Sequence, residues 1–258
     1  MCKRYLPVGV FDSGVGGISV LKTCADVLPY ENFIYFGDTK NSPYGNLNEQ
    51  KITELTFEAV GRLILSGVKA VVVACNTATA TAINALRNKH KINIIGIEPA
   101  IKPACLYTPE GKILVMLTNA ASTQPKFKSL VENCGVDKVS LLPLKDLAKL
   151  IENNIGNFSS LKSYIFEILY PYKNSEIKAV VLGCTHYLFV KDIIAEFFNG
   201  IRIFDGNMGV AQNLKNTLIR NNLINNSEGL GSIEFFSSEQ TYEAVYKKLW
   251  QSIINKNN

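Results

Sequence analysis

Two thiols stand in matching places in the two halves of the chain. Cys75 follows Val71-Val72-Val73-Ala74 and leads into Asn76-Thr77. Cys184 follows Val180-Val181-Leu182-Gly183 and leads into Thr185-His186. Each apolar, β-branched run reads as a buried strand, so each cysteine sits just past a strand's end. In a parallel α/β sheet that edge is where ligands and chemistry collect. A thiol there works as a proton donor or acceptor once its surroundings control its ionisation. Taken singly, Cys75 reads better as a small buried hydrophobe; Asn76 and Thr77 add polar groups where the next helix begins.

His186 puts an imidazole in the same tight turn as Cys184, able to orient it, deprotonate it or protonate a substrate group. The other histidine, His90, is flanked by Lys89 and Lys91 and reads as surface. A zinc site built from Cys75, Cys184 and His186 is a rival arrangement, but the paired ligand spacing usual for zinc is missing. Cys2, Cys24, Cys105 and Cys134 read as structural or incidental, with Cys2 in the terminus and Cys24 beside a helix's core face.

Two further segments carry polar groups at turns. Asp12-Ser13-Gly14-Val15-Gly16-Gly17 leads from a strand into a helix. Its glycines allow a tight turn and leave N–H groups free at the positive end of that helix, where a carboxylate or phosphate can bind. Capping of the helix by Asp12 or Ser13 explains the same residues. The spacing matches neither a dinucleotide fingerprint nor a P-loop. Ser42-Pro43-Tyr44-Gly45 is a turn whose Tyr44 can wall a pocket or simply fill one.

These segments hang on alternating strands and helices. Val8–Phe11, Phe33–Phe36, Ala70–Ala74 and Ile92–Ile97 read as strands, and helices are expected near 18–28, 48–65 and 78–88. Glu98-Pro99 and Pro103 interrupt the pattern, and it restarts at Lys112. Strands then follow at 112–116, 139–142, 178–182, 201–204 and 233–236. Helices are expected at 123–134, 145–153, 160–170, 187–198, after Gly209, and from about Gln240. Such alternation predicts an α/β fold with mainly parallel, helix-covered sheets. The restart and the echo of the two cysteine turns predict two similar units.

Composition narrows the function. The chain has 258 residues, 47% of them hydrophobic and 19% charged, as in an ordinary globular protein. The net charge of +5 is spread out, without the basic stripe that nucleic-acid binding leaves. No apolar stretch approaches the roughly 18 residues of a membrane helix, and the N-terminus is not a signal peptide. Six cysteines without a secretion signal argue against a disulfide framework and for the reducing cytoplasm.

Together the segments Phe11–Gly17, Pro43-Tyr44-Gly45, Ala74–Ala78, Gly96-Ile97-Glu98-Pro99 and Leu182–His186 resemble the glutamate racemases, within the cofactor-independent aspartate/glutamate racemase superfamily. The resemblance implies two α/β domains related by pseudo-two-fold symmetry, with the active site in the cleft between them. It also implies a C-terminal segment that returns to the first domain. The division is then 1–100 with 209–258, and 101–208. By the family's pattern Cys75 and Cys184 are the two acid/base thiols, with Asp12 assisting the first and His186 the second. A carboxylate near the second thiol maps to Glu152. Asp12, Ser13, Pro43, Tyr44, Gly45, Asn76, Thr77, Thr118 and Thr185 are the substrate contacts implied, alongside the two thiols and His186. No cofactor and no metal are implied; the partner is a small molecule, L- or D-glutamate, destined for peptidoglycan. A homodimer is the assembly common in the family, and no nucleic acid or membrane is involved. The chain departs from the family at Ala121, which lacks a hydroxyl used near the distal carboxylate; Ser122 or Thr123 is the candidate substitute. This keeps an aspartate racemase open as an alternative. A non-catalytic protein that binds an acidic ligand, and a zinc hydrolase using Cys184 and His186, are the rivals from other classes.

Overall fold

The structure is a computed structural model describing residues 3–256; Cys2 lies outside them. In chain order the first part runs β1 (Val8–Asp12), α1 (Ile18–Val27), β2 (Phe33–Gly37), α2 (Glu49–Leu65), β3 (Ala70–Val73), α3 (Asn76–Lys89) and β4 (Asn93–Gly96). The middle part runs α4 (Ile101–Tyr107), β5 (Lys112–Leu117), α5 (Asn119–Ser122), α6 (Pro125–Cys134), β6 (Val139–Pro143), α7 (Leu147–Asn153), α8 (Lys162–Leu169), β7 (Ile177–Leu182), α9 (Lys191–Phe197) and β8 (Arg202–Asp205). The chain ends with α10 (Asn207–Arg220), β9 (Ile233–Ser237) and α11 (Tyr242–Lys256).

The strands form two sheets, ordered β4-β3-β1-β2-β9 and β6-β5-β7-β8, with every pairing parallel. Read from the other edge, the first four strands run β2-β1-β3-β4 beside β9, the same order as β6-β5-β7-β8. One topology is therefore used twice. This is the two-unit α/β architecture expected, extended by β9, which pairs with β2.

The strands read as unbroken apolar runs because both faces of each sheet are covered. In β1, Val8 and Val10 face α1, α10 and α11, while Phe11 faces α2 and α3. In β3, Ala70 and Val72 share the first of these cores and Val71 and Val73 the second. The second sheet repeats the division. Leu114, Met116, Val180 and Leu182 pack against α7, α8 and α9, whereas Ile113, Val115, Ala179 and Val181 pack against α4 and α6. The period of two decides which way each residue past a strand end will point.

Several elements differ from the sequence reading. Pro99 and Pro103 suggested an interruption, yet α4 begins at Ile101 with Pro103 in its first turn. There its missing N–H removes no helical hydrogen bond. The segments at 158–161 and 185–190 are 3₁₀ turns that precede α8 and α9. The helix expected after Gly209 starts two residues before it, at Asn207. His90 is not a surface group: it is partly buried, ends α3 and lies 6.2 Å from the Phe57 ring. Cys105 and Cys134, read from the sequence as structural or incidental in a chain without a disulfide framework, are joined as a disulfide with Cα atoms 6.0 Å apart. The packing of α4 on α6 brings them together, and nothing in their sequence spacing announces it; in a reducing compartment the same contact holds two thiols. Among the described residues no helix is long and apolar enough to cross a membrane.

A buried ion pair ties the far side of the first sheet. Lys69 and Glu31 pair with both side chains only 1% exposed. Lys69 Nζ also donates to the Arg4 carbonyl, and Glu31 Oε1 accepts the Asn225 N–H at 2.7 Å. Removing one partner strands the other charge away from water, so Lys69→Met should cost about 3–5 kcal/mol in urea unfolding. The double replacement Lys69→Met with Glu31→Leu should recover most of that loss.

Candidate active site

The side chains singled out in the sequence come together where the carboxyl ends of the two sheets face each other. Asp12 ends β1 and Cys75 follows β3, its neighbour in the sheet. Thr118 follows β5 and Cys184 follows β7, again neighbours. In each sheet the strand order reverses at that pair, and such switch points open crevices.

Cys75 is the N-cap of α3, 5% exposed, and its sulfur accepts the Ala78 N–H at 3.4 Å. Ser13 donates to the same sulfur at 3.3 Å. Burial pushes the thiol up to about 12, the Asp12 carboxylate adds to this, and the two donors oppose it. A charge on Cys184 also raises Cys75, so the two sulfurs share one electrostatic site. Asp12 is fully buried and is raised by that burial, against the His186 charge and donors from Gly14 and Thr185.

Across the cleft the Cys184 sulfur lies 3.7 Å from His186 Nδ1. His186 Nε2 lies 2.9 Å from Glu152 Oε1, the position expected for the carboxylate beside the second thiol. Burial opposes a charge on His186, but Cys184 and Glu152 together push its pKa well above the ordinary value. For Glu152 burial also opposes ionisation, and the His186 hydrogen bond and charge, with donation from Ser42 and Val15, hold it below the usual carboxylate value. The two directions agree on an imidazolium–carboxylate pair.

Hydrogen bonds between the two sheets' loops close the cleft. Thr185 donates to Asp12 Oδ2 at 3.2 Å, and the Thr77 and Thr118 hydroxyls meet at 2.9 Å. Ser42 donates to Glu152 Oε1 at 2.7 Å, and the Val15 N–H approaches the same oxygen at 3.4 Å. Among the described residues, Asn76 Oδ1 is buried without a partner. Tyr44, after Pro43, is buried with its hydroxyl on Asp38 Oδ2 at 2.6 Å, so it walls the site without aiming a donor into it.

The glycine-rich segment works differently from the sequence reading. Neither Asp12 nor Ser13 caps α1, whose N-cap is Gly17 without a side-chain bond. Asp12 Oδ1 instead accepts the Gly14 N–H at 2.9 Å. Among the described residues, Gly14, Gly16 and Gly17 are absent from the positive-φ glycines, so left-handed backbone is not their reason. Close approach is. A Cβ on Gly14 would overlap Glu152 Oε1, and one on Gly16 would overlap Thr185 Oγ1 and stand 2.8 Å from the His186 nitrogen. A Cβ on Gly45 would stand 2.7 Å from Thr118 Cβ. These glycines let the second sheet's loops reach the first, and the carboxylate received there is the chain's own Glu152. Ser122 and Thr123, the candidate substitutes for the hydroxyl missing at Ala121, each donate to a carbonyl of their own turn, Asn119 and Ala120 respectively.

Sequence reasoning missed Ser42, whose residue type gave no signal apart from its place in the Pro43-Tyr44-Gly45 turn. Wedging the cleft apart should expose the thiols. Gly16→Ala is expected to speed iodoacetamide labelling of Cys75 and Cys184 by about ten-fold or more, as about 1.4 kcal/mol in the opening equilibrium gives. Cys24, fully buried on the core face of α1, should stay unlabelled as the internal control for an intact fold.

Residues 37–213 match the Asp/Glu/hydantoin racemase family. A glutamate racemase of Clostridium botulinum is 45% identical over 258 residues, covering 98% of this chain and 100% of the relative. The glutamate racemase of Francisella tularensis, solved with D-glutamate, superposes with a TM-score of 0.82 at 26% identity, over 96% of this chain and 94% of that one. The Escherichia coli glutamate racemase, solved with L-glutamate and the activator UDP-MurNAc-Ala, gives 0.82 at 26% identity over 95% of both chains. With the match to the family spanning more than half of its residues and a relative alike along nearly its whole length, the chain belongs to the Asp/Glu/hydantoin racemase family.

Proposed function

We propose that the protein interconverts L- and D-glutamate without a cofactor, using Cys75 and Cys184 as the two proton-transfer groups, and supplies D-glutamate for peptidoglycan. The observation that carries this is the pairing of two buried thiols from matched strand ends across one cleft, each with its own polar partners. An amino acid's α-proton is very weakly acidic, so one thiolate must remove it while a thiol on the opposite face delivers another. After each turnover the roles are exchanged. At rest Cys75 holds its proton, its ionisation disfavoured by burial. Ser13, the Ala78 N–H and the α3 N-terminus are the groups that stabilise its thiolate when it acts as base. His186, held by Glu152, hydrogen-bonds Cys184 and stabilises or resupplies its proton. Dry walls around the reacting carbon strengthen each of these interactions.

Ser13, Asn76, Thr77, Thr118 and Thr185, with the Tyr44-Gly45 turn, are the groups proposed to hold the substrate. The unpartnered Asn76 Oδ1 is an acceptor suited to the ammonium. The Thr77–Thr118 and Thr185–Asp12 bonds are the ones an entering substrate would replace. Residues 1–100 with 209–258 form the first domain and 101–208 the second in this reading, supported by α10 packing on α1 and α4 packing on the second sheet. The reaction is placed in the cytoplasm on the sequence reading, and a homodimer is the assembly proposed on the family's pattern.

Each enantiomer incubated in D₂O should lose its α-proton signal by NMR and invert by circular dichroism. Cys75→Ala and Cys184→Ala should each reduce inversion in both directions by at least about 10³-fold. Full turnover by either variant would defeat the two-thiol mechanism. Ala121 favours one second reading, an aspartate racemase, which a higher kcat/KM for aspartate than for glutamate would establish.

A further inference from the structure

Glu152 belongs to the second sheet's α7, yet its Oε1 is held from the first sheet's loops by Ser42 at 2.7 Å and by the Val15 N–H at 3.4 Å. The same oxygen lies 2.9 Å from His186 Nε2. We propose that Ser42 is a positioning residue that couples cleft closure to the proton state of the Cys184 side, by completing the Glu152–His186 pair only when the two halves meet. The inference rests on the racemase reading above and extends it to a residue outside both thiol turns.

The physical argument is one of donors. A carboxylate with a side chain 10% exposed needs replacements for lost water. His186 supplies one and its own half supplies no other hydrogen bond to Oε1 among the described residues; the rest come from across the cleft. Ser42 is fixed in the turn ahead of Pro43, and its N–H donates to the Thr39 carbonyl at 3.1 Å, so its hydroxyl meets Glu152 only in the closed arrangement. Gly14 leaves the space in which that contact is made: a Cβ there would overlap Glu152 Oε1 and stand 2.7 Å from Ser42 Oγ. When the halves part, Glu152 loses both cross-cleft donors and gains water, and its hold on His186 changes. Protonation of the second thiol's partner is then tied to whether the site is shut.

The test is Ser42→Ala beside Ser42→Thr, which keeps the hydroxyl. Ser42→Ala should lower kcat by about 10- to 100-fold, the range for a lost hydrogen bond to a charged group. Without its donor the carboxylate is easier to protonate, so the acid limb of kcat/KM should move up by about half a pH unit or more. Other ionisable groups face this pair: Cys184, Asp12, Tyr35, Tyr242 and Tyr246. The limb is therefore assigned by a readout independent of turnover. The chain has only two histidines, so ¹⁵N-detected NMR resolves His186 from His90. The His186 Nε2 resonance should shift in Ser42→Ala, return in Ser42→Thr, and leave His90 unmoved. A lower kcat with an unmoved acid limb and an unmoved His186 resonance would mean a merely structural role and overturn the proposal. So would unchanged kinetics in Ser42→Ala. Failure of the racemase reading itself would appear separately, as wild-type protein that exchanges no α-proton while the His186 resonance still responds to Ser42.

Discussion

Removing a carboxylate or a thiolate from water is costly unless donors replace the lost hydration. The cleft gathers Asp12, Cys75, Glu152 and His186, none with a side chain much above one-tenth exposed. Most of their compensation comes from backbone N–H groups and from the opposite half, the rest from Ser13 and His186 of the same half. Asp12 takes the Gly14 N–H and Thr185, Cys75 takes Ser13 and the Ala78 N–H, and Glu152 takes His186, Ser42 and Val15. This demand for cross-cleft donors explains the glycines at 14, 16 and 45, where a methyl group would hold the halves apart. For Asp12 and Cys75 compensation is incomplete, and both resist ionisation. That residue of cost is useful, because a thiol that keeps its proton at rest has one to give.

The repeated topology places this chemistry. In each unit the second and third strands in chain order flank the first, and the switch between the first and third opens the crevice. Alternation along β3 sends Val71 and Val73 to the α2–α3 core, and Cys75 continues on that side. Alternation along β7 sends Val180 and Leu182 to the α7–α9 core, with Cys184 continuing there. The thiols are thus delivered by backbone geometry common to both halves. What surrounds them is not common: an N-cap and a serine on one side, an imidazole and a carboxylate on the other.

Much of this was legible from residue types. Continuous β-branched runs announced doubly covered strands, and the polar residues after them announced the site. Most of what was illegible depends on residues distant in sequence meeting. Ser42 and Glu152 are 110 positions apart and individually ordinary. Cys105 and Cys134 meet only because α4 packs on α6. Pro103 looked like a break because a proline's tolerance in a helix depends on its distance from the first turn. The glycine loop was found but misread, since sequence cannot distinguish a glycine needed for its own backbone from one needed by a neighbour.

The unequal surroundings of the two thiols are compatible with a reaction whose two directions are thermodynamically equal. Enantiomers have the same free energy in water, so the ratio of kcat/KM for the two directions must be one, whatever flanks each sulfur. Asymmetry can appear only in how binding and turnover divide that common value, and in which thiol carries its proton in the free protein. Cys75 is the side that keeps it, through burial and the nearby Asp12 carboxylate. The other side carries a histidine whose charge is favoured by Glu152. A fully symmetric site would have to reset its proton distribution with no preference for either state. Here one half holds a thiol that keeps its proton and the other an imidazolium paired with a carboxylate, so the two sides enter the reaction unequally prepared.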